Sequence, residues 1–158
     1  MNVMVLDRVP VLADRVSPAA SSQPTVMIVG DDPEWAQAVE TICDFFDIGV
    51  ELVSSELDVG YLAREFRPMA IITAVDLKGQ DGFHVMREIA GYAPDLPMMV
   101  LTGYDPAIMG AAEAMQEVTG LTSVRIEASL PSMGELVDFL FRAGRQSGVG
   151  RMMAVSYG

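Results

Sequence analysis

The sequence predicts an α/β domain built on one doubly wound parallel sheet of five strands. Short apolar runs of strand length alternate five times with segments whose apolar residues recur at helical spacing. Such alternation favours parallel strands joined by right-handed crossovers, with helices on both faces of the sheet. We expect the strand order 2-1-3-4-5, which places a functional crevice at the carboxyl ends of strands one and three.

The strands are predicted from continuous apolar runs bounded by turn residues. Strands one and three are apolar on both faces, as central strands of a parallel sheet need to be. Strand two is more polar, which suits a place near the edge of the sheet. The predicted strands are 26–30, 50–53, 69–74, 97–101 and 123–128.

The helices are predicted from apolar residues recurring on one face and from their end signals. Asp32 and Pro33 suit the cap and first turn of the first helix, and Pro68 and Gly120 end two later ones. The predicted helices start at 33 and then span 57–67, 82–92, 106–119 and 132–146. Among the residues expected to face inward are Phe66, Met133, Leu136 and Leu140.

The predicted domain covers residues 25–146 of the 158. Residues 1–24 are interpreted as an N-terminal extension and linker, because VSPAASSQP at 16–24 offers little to bury. This extension is either a loose tail or a segment that packs on the domain or on a partner. Residues 147–158 are interpreted as a C-terminal tail.

Composition restricts the classes of function. A net charge of -12 argues against nucleic acid or an anionic membrane as partner, since both repel an acidic surface. Cys43 is the single cysteine and His84 the single histidine, which leaves no disulfide and no cysteine-rich metal site. Phosphate-binding glycine loops are also absent from the sequence. We expect a cytoplasmic protein without enzymatic activity.

Chemically relevant residues gather at the predicted carboxyl ends of the strands. This ordered set resembles bacterial response-regulator (CheY-like) receiver domains over roughly residues 25–146. An acidic pair follows strand one (Asp31–Asp32), an Asp-Gly pair follows strand three (Asp81–Gly82), and Thr102–Gly103 follows strand four. Pro131 matches the proline after strand five. The resemblance implies a flavodoxin-like fold and a role in two-component signalling, with a protein partner such as a histidine kinase.

Three positions depart from that family. The phosphoacceptor carboxylate should stand eight residues before Gly82, where this chain has Ala74. Leu130 replaces the lysine before Pro131, and Glu127 stands at the position of the aromatic switch residue. The resemblance therefore implies a pseudo-receiver that lacks phosphotransfer and works as a phosphorylation-independent interaction module.

The family's chemistry shows what these departures remove. In a working receiver the acidic pair and the acceptor carboxylate hold Mg²⁺, and the acceptor then attacks phosphorus. The lysine and the threonine hydroxyl hold the phosphoryl oxygens. Here Thr102, Leu130 and Pro131 line a pocket without a nucleophile or a cation. We expect no cofactor beyond weak, hydrated Mg²⁺ at Asp31 and Asp32.

Other interpretations remain open. Asp76, two residues after Ala74, is a rival phosphoacceptor if the loop bends it into the pocket. The chain is alternatively the regulatory receiver of a longer signalling enzyme, and GLTSVRIEASLP at 120–131 resembles receivers attached to cyclic-di-GMP phosphodiesterases. The vacated pocket beside Ala74 could also take a small ligand.

The resemblance further implies an interaction face formed by helix four, strand five and helix five. Methionine suits adaptable binding surfaces, and arginine suits their polar rims. We expect a homodimer through this face. Its candidate residues are Met109, Met115, Phe141, Arg142 and Arg145.

Overall fold

The computed structural model describes residues 23–54, 58–76 and 81–147, with only the backbone at Ser147. Five strands and five helices alternate along these residues. The strands are β1 Thr25–Val29, β2 Gly49–Val53, β3 Ala70–Ala74, β4 Met98–Leu101 and β5 Val124–Glu127. The helices are α1 Pro33–Phe45, α2 Val59–Phe66, α3 Gly82–Tyr92, α4 Pro106–Thr119 and α5 Met133–Ser147. The interpretations of residues 1–22 and 148–158 as extension and tail lie outside the described residues.

All five strands run parallel in the order β2-β1-β3-β4-β5. This confirms the predicted fold class and strand order. The order reverses between β1 and β3, so the loops that follow these two strands diverge and leave a crevice at their carboxyl ends. The candidate site residues follow β1, β3, β4 and β5 at this edge.

Helices pack on both faces of the sheet and form two apolar layers. One layer joins α1 and α5 to the sheet and is centred on buried residues such as Val39, Cys43 and Leu140. The other joins α2, α3 and α4 and includes Ala63 and Met86. Because the central strands contribute side chains to both layers, their continuous apolar sequence is explained by burial on both faces.

Aspartates begin four of the five helices, all at the carboxyl edge of the sheet. In each case a side-chain oxygen accepts a hydrogen bond from a backbone N–H of the first turn, which otherwise lacks a partner. The capping residues are Asp32, Asp58, Asp81 and Asp105, with bonds of 2.9 to 3.0 Å. The prediction that Asp32 caps α1 is confirmed.

Two residues that were expected to face inward are exposed. Phe66 lies in the last turn of the eight-residue helix α2, which ends at Arg67 in a left-handed conformation, and it is 40% exposed. Met133 is the first residue of α5 and is 68% exposed, because the helix reaches the sheet only at Leu136 and Leu140. Within the described residues, no helix has both the length and the apolarity needed to span a bilayer.

Candidate functional site

The end of β3 is packed too closely for a side chain on the following helix. A Cβ atom on Gly82 would lie 2.4 Å from the carbonyl oxygen of Ala74 and 2.7 Å from Cα of Val75. The Gly82 N–H also donates to the Val75 carbonyl at 2.9 Å. Glycine therefore lets α3 start directly against the end of β3, and it places Ala74 at the crevice.

Asp76 lies just beyond this close contact. Val75 is buried, and its N–H donates to the Leu101 carbonyl at 2.9 Å, which holds the chain against β4 for one more residue. Asp76 itself is exposed, and the loop beyond it lies outside the described residues until Asp81. The described geometry places its carboxylate at the surface after β3, two residues beyond Ala74.

The acidic pair after β1 is exposed at the same edge. Asp32 accepts a hydrogen bond from the Glu34 N–H at 2.9 Å, so one of its oxygens is committed to the cap of α1. The preceding Gly30 lies under the indole of Trp35, where an added Cβ would lie 2.4 Å from Cζ2. The ring therefore covers the backbone beside Asp31 on the α1 side.

The Thr102 hydroxyl is used within the backbone. Thr102 is buried, and its hydroxyl donates to the Gly103 carbonyl at 2.8 Å and lies 3.5 Å from the Glu127 carbonyl. Because a hydroxyl has one hydrogen to donate, this arrangement leaves its lone pairs rather than a donor for any group in the crevice.

Leu130, at the position predicted to correspond to the family's lysine, packs toward the core. It is half-buried and packs against the apolar layer of α1 and α5. Pro131 follows through a trans peptide, since no described peptide bond is cis. Leu130 thus supplies apolar contact and no positive charge.

Glu127 is the last residue of β5, and its side chain forms an ion pair. Its carboxylate binds the guanidinium of Arg125, two residues earlier on the same side of the strand. Arg125 also reaches Glu135 in the first turn of α5 at 3.8 Å. A charged group therefore stands at the position expected for the aromatic switch residue. The sequence interpretation named Glu127, and placed Glu135 on the polar rim of the interaction face, but it missed Arg125 and the ion pairs, although the spacing of Arg125 and Glu127 on a strand was a usable signal.

The donor set does not fit a tight magnesium site. Among the residues that the structure describes, no three Asp, Glu, His or Cys side chains lie together in a way that could hold a metal ion. Ala74 supplies a methyl group, and Asp32 caps a helix. Weak hydrated Mg²⁺ at Asp31 and Asp32 stays a prediction.

Only some of the candidate residues of the interaction face are exposed to solvent. Met115 packs against the apolar layer of α2, α3 and α4. Phe141 meets Phe46 of α1 edge to face, with ring centroids 5.2 Å apart, so much of it is covered. Arg142 and Arg145 are exposed, and Arg142 pairs with Asp138 at 2.9 Å. Met109 is half-buried on α4.

Cys43 and His84 are the two residues of potential acid–base chemistry outside the carboxylates. Burial, with a smaller effect from the charge of Glu40, raises the pKa of the Cys43 thiol to about 12. This keeps the thiol neutral and unreactive. His84 on α3 is partly exposed and lies 3.7 Å from Glu88 one turn later. Neither residue has a described nucleophile–base geometry.

A parallel five-stranded sheet with an acidic pair, an Asp-Gly pair and a threonine at its carboxyl edge defines a class of signalling domain. Residues 26–121 match the family described as the response regulator receiver domain, and the chain belongs to that family.

Curated relatives share part of this region. The C4-dicarboxylate transport transcriptional regulatory protein DctD of Rhizobium meliloti is 28% identical over 98 residues, 61% of this chain and 21% of that protein. The response regulator MprA of Mycobacterium tuberculosis is 29% identical over 80 residues, 51% of this chain and 35% of MprA. The match thus spans about a fifth to a third of the length of these relatives.

Solved structures share the fold. A CheY-like receiver domain from Methanospirillum hungatei JF-1 superposes with a TM-score of 0.64 at 15% identity, covering 80% of this chain and 98% of that one. The receiver domain of the sensor histidine kinase PA1611 from Pseudomonas aeruginosa PAO1, solved with magnesium coordinated in its active-site cleft, gives 0.60 at 23% identity. It covers 77% of this chain and 97% of that chain. The beryllofluoride-activated NtrC4 receiver domain dimer gives a TM-score of 0.61 at 16% identity, covering 77% and 97%.

Proposed function

We propose that this receiver domain works as a phosphorylation-independent, non-enzymatic signalling module that acts by binding other proteins. The observation that carries the proposal is Ala74 at the end of β3. The close contact between Gly82 and the Ala74 carbonyl supports the alignment of this alanine with the phosphoacceptor position. A methyl group cannot form an acyl phosphate.

Two neighbouring residues support the same conclusion. Leu130 packs into the core and brings no cation to hold phosphoryl oxygens. The Thr102 hydroxyl already donates to a backbone carbonyl. Each residue by itself is compatible with weak phosphotransfer, but their combination removes the nucleophile, the cation and the free donor from one crevice.

The experiment is incubation of the chain with a small acyl-phosphate donor and Mg²⁺, followed by intact-mass measurement. We expect no gain of a phosphoryl group. A receiver domain that has the phosphoacceptor aspartate, treated in parallel, shows that the donor is active. Trp35 fluorescence in a Mg²⁺ titration reports on the weak metal site, and we expect a response only at high concentration.

A second candidate is a conventional switch that is phosphorylated at Asp76. Its support is the exposure of this carboxylate two residues after Ala74. An adduct that is present in the wild type and absent from Asp76→Asn would establish this candidate and overturn the proposal. An adduct that survives in Asp76→Asn would overturn both.

The partner is proposed from the family. Receiver domains interact with signalling proteins such as histidine kinases. We propose that this chain binds a protein of that kind, and that it does so in the cytoplasm. The net charge of -12 disfavours nucleic acid and anionic membranes as partners. The partial coverage of the curated relatives supports the alternative that the domain regulates a longer signalling protein. A cyclic-di-GMP phosphodiesterase stays a prediction for that longer protein.

For self-association we propose the surface formed by α4, β5 and α5, called the α4–β5–α5 face below. The NtrC4 receiver, which has the same fold and was solved as a dimer, supports self-association, and the family resemblance supports this surface. Replacing the exposed Arg142 and Arg145 by alanine should lower the dimer fraction in light scattering. Arg64→Ala on α2 is the control and should leave it unchanged. Equal oligomeric states in all three proteins would exclude these arginines from the interface.

A further inference from the structure

The last strand of the sheet lies at its edge and is held differently from the three inner strands. β5 pairs with β4 on one side only, and all four of its residues are partly exposed. Such an edge strand has less apolar burial to fix it than β1, β3 or β4. In this chain, polar contacts secure it on both sides.

The first set of contacts joins β5 to the loop before α4. The N–H groups of Thr102 and Gly103 donate to the carbonyls of Glu127 and Ala128, each at 2.9 Å, which extends the ladder beyond the ends of both strands. The Tyr104 hydroxyl then meets the Ser129 hydroxyl at 3.1 Å. Three successive residues after β4 are thus bonded to Glu127 at the end of β5 and to the two residues that follow it.

The second set joins β5 to α5. Arg125 and Glu127 lie on the side of β5 that faces α5, because Val124 and Ile126 fill the opposite layer. Arg125 binds Glu127 and reaches Glu135 in the first turn of α5. The Arg125 and Glu127 side chains are 33% and 26% exposed, so this pair is better shielded than the surface pair of Arg142 and Asp138.

We infer that these contacts form a clasp that holds the α4–β5–α5 face in one arrangement without phosphorylation or a metal. The clasp consists of Tyr104, Arg125, Glu127, Ser129 and Glu135. It contacts the strand β5, the first turn of α5 and the loop that leads into α4, so it links two elements of that face to the start of the third. This inference rests on the proposed function, because it explains how a face can be presented permanently when the crevice has no reactive group.

The test measures backbone hydrogen exchange of Thr102 and Gly103 by NMR. Glu127→Gln removes the charge of the clasp but leaves the Glu127 carbonyl in place. We expect exchange at these two amides to become about three- to tenfold faster in this variant, while amides of β3 keep their wild-type rates. Tyr104→Phe, which removes one exposed hydroxyl, should give a smaller acceleration at Gly103.

Asp138→Asn is the matched control, because it breaks an ion pair on α5 outside the clasp. It should leave both amides unchanged. The double variant Arg125→Glu with Glu127→Arg restores an opposite-charge pair along the strand and should recover part of the protection. Unchanged exchange in Glu127→Gln would overturn the clasp, and so would an equal acceleration at every amide of the sheet.

This result is separable from the test of the proposed function. If exchange is unaltered in Glu127→Gln and the wild type gains no phosphoryl group, the clasp is excluded but the phosphorylation-independent module is not. A phosphoryl adduct on the wild type overturns the module whatever the exchange rates are.

Discussion

β3 and β5 belong to one sheet and end at the same edge, yet different interactions hold them. β3 is buried from Ala70 to Thr73 and lies between two other strands. β5 is an edge strand, partly exposed throughout, and carries an ion pair. The buried strand ends in Ala74, at the position where the sequence prediction expects the reactive carboxylate of a receiver. The fold is therefore kept by apolar burial, which does not depend on the residue at the reactive position.

The comparison also separates two uses of polar groups. At the end of β3 and in the adjoining crevice, Ala74 and Leu130 supply apolar groups. Around β5, charge is present and is used to connect secondary structures. These polar contacts around β5 lie at the α4–β5–α5 face that we propose for partner binding.

The largest effect should come from shortening an isoleucine in β3. Ile71→Ala removes a fully buried side chain, and we expect a loss of about 4 kcal/mol in the free energy of unfolding. Ile126 in β5 contacts the same layer but is partly exposed, so Ile126→Ala should lower the free energy of unfolding by only about 2 kcal/mol. Urea unfolding measures both. Equal losses would contradict the difference between the two strands.

A glycine pair on α3 tests the packing at the end of β3. Gly82→Ala would force a Cβ against the backbone of Ala74 and Val75, with an expected cost of about 2 to 3 kcal/mol. Gly91→Ala on the same helix has open space around it and should stabilise the protein by about 0.5 to 1 kcal/mol. If Gly82→Ala were as stable as wild type, Gly82 could not be packed as closely against Ala74 as the structure describes.

The buried thiol predicts a pH dependence. Because the pKa of Cys43 is raised from 9.0 to about 12, the folded protein keeps its proton where the unfolded chain loses it. The stability contributed by this thiol is present below pH 9.0 and is lost as the pH rises toward about 12. The decline is about 1.4 kcal/mol per pH unit, so about 2 kcal/mol is lost by about pH 10.5.

The measurement compares urea unfolding of wild type and Cys43→Ala at several pH values. Their difference cancels the titration of other groups. A difference that stays constant above pH 9.0 would show that the thiol is not shielded as the structure describes.

The smallest effect should come from a surface ion pair. Asp138→Asn separates Asp138 from Arg142, and both side chains are more than half exposed. We expect a change of less than about 0.5 kcal/mol in thermal or urea unfolding. A larger loss would mean that exposed pairs on α5 matter as much as the shielded pair on β5.

The sequence predicts the fold well where burial is two-sided or a cap is present. The bounds of α3 and α4 agree with the prediction, because Asp81 and Asp105 cap their starts. The predicted β5 at 123–128 is two residues longer than the strand, because an edge strand has a weak apolar signal. Phe66 and Met133 were predicted inward because helical spacing gives no information on how far a helix end reaches over the sheet.

The candidate site is less predictable than the fold. Position along the chain places Ala74, Thr102 and Leu130 at the crevice edge. It does not show that the Thr102 hydroxyl donates to the Gly103 carbonyl or that Leu130 turns into the core. These outcomes depend on side-chain rotation and on packing between elements distant in sequence. Tyr104 and Ser129 lie 25 residues apart in the sequence, so no local sequence pattern predicts the hydrogen bond between their hydroxyls.

The intact mass of the wild-type chain, after exposure to an acyl-phosphate donor with Mg²⁺, decides whether this receiver domain takes up a phosphoryl group. We expect an unchanged mass under conditions that fully modify an ordinary receiver. A stable gain of one phosphoryl group, mapped to Asp76 or to any other carboxylate of the crevice, would contradict this expectation.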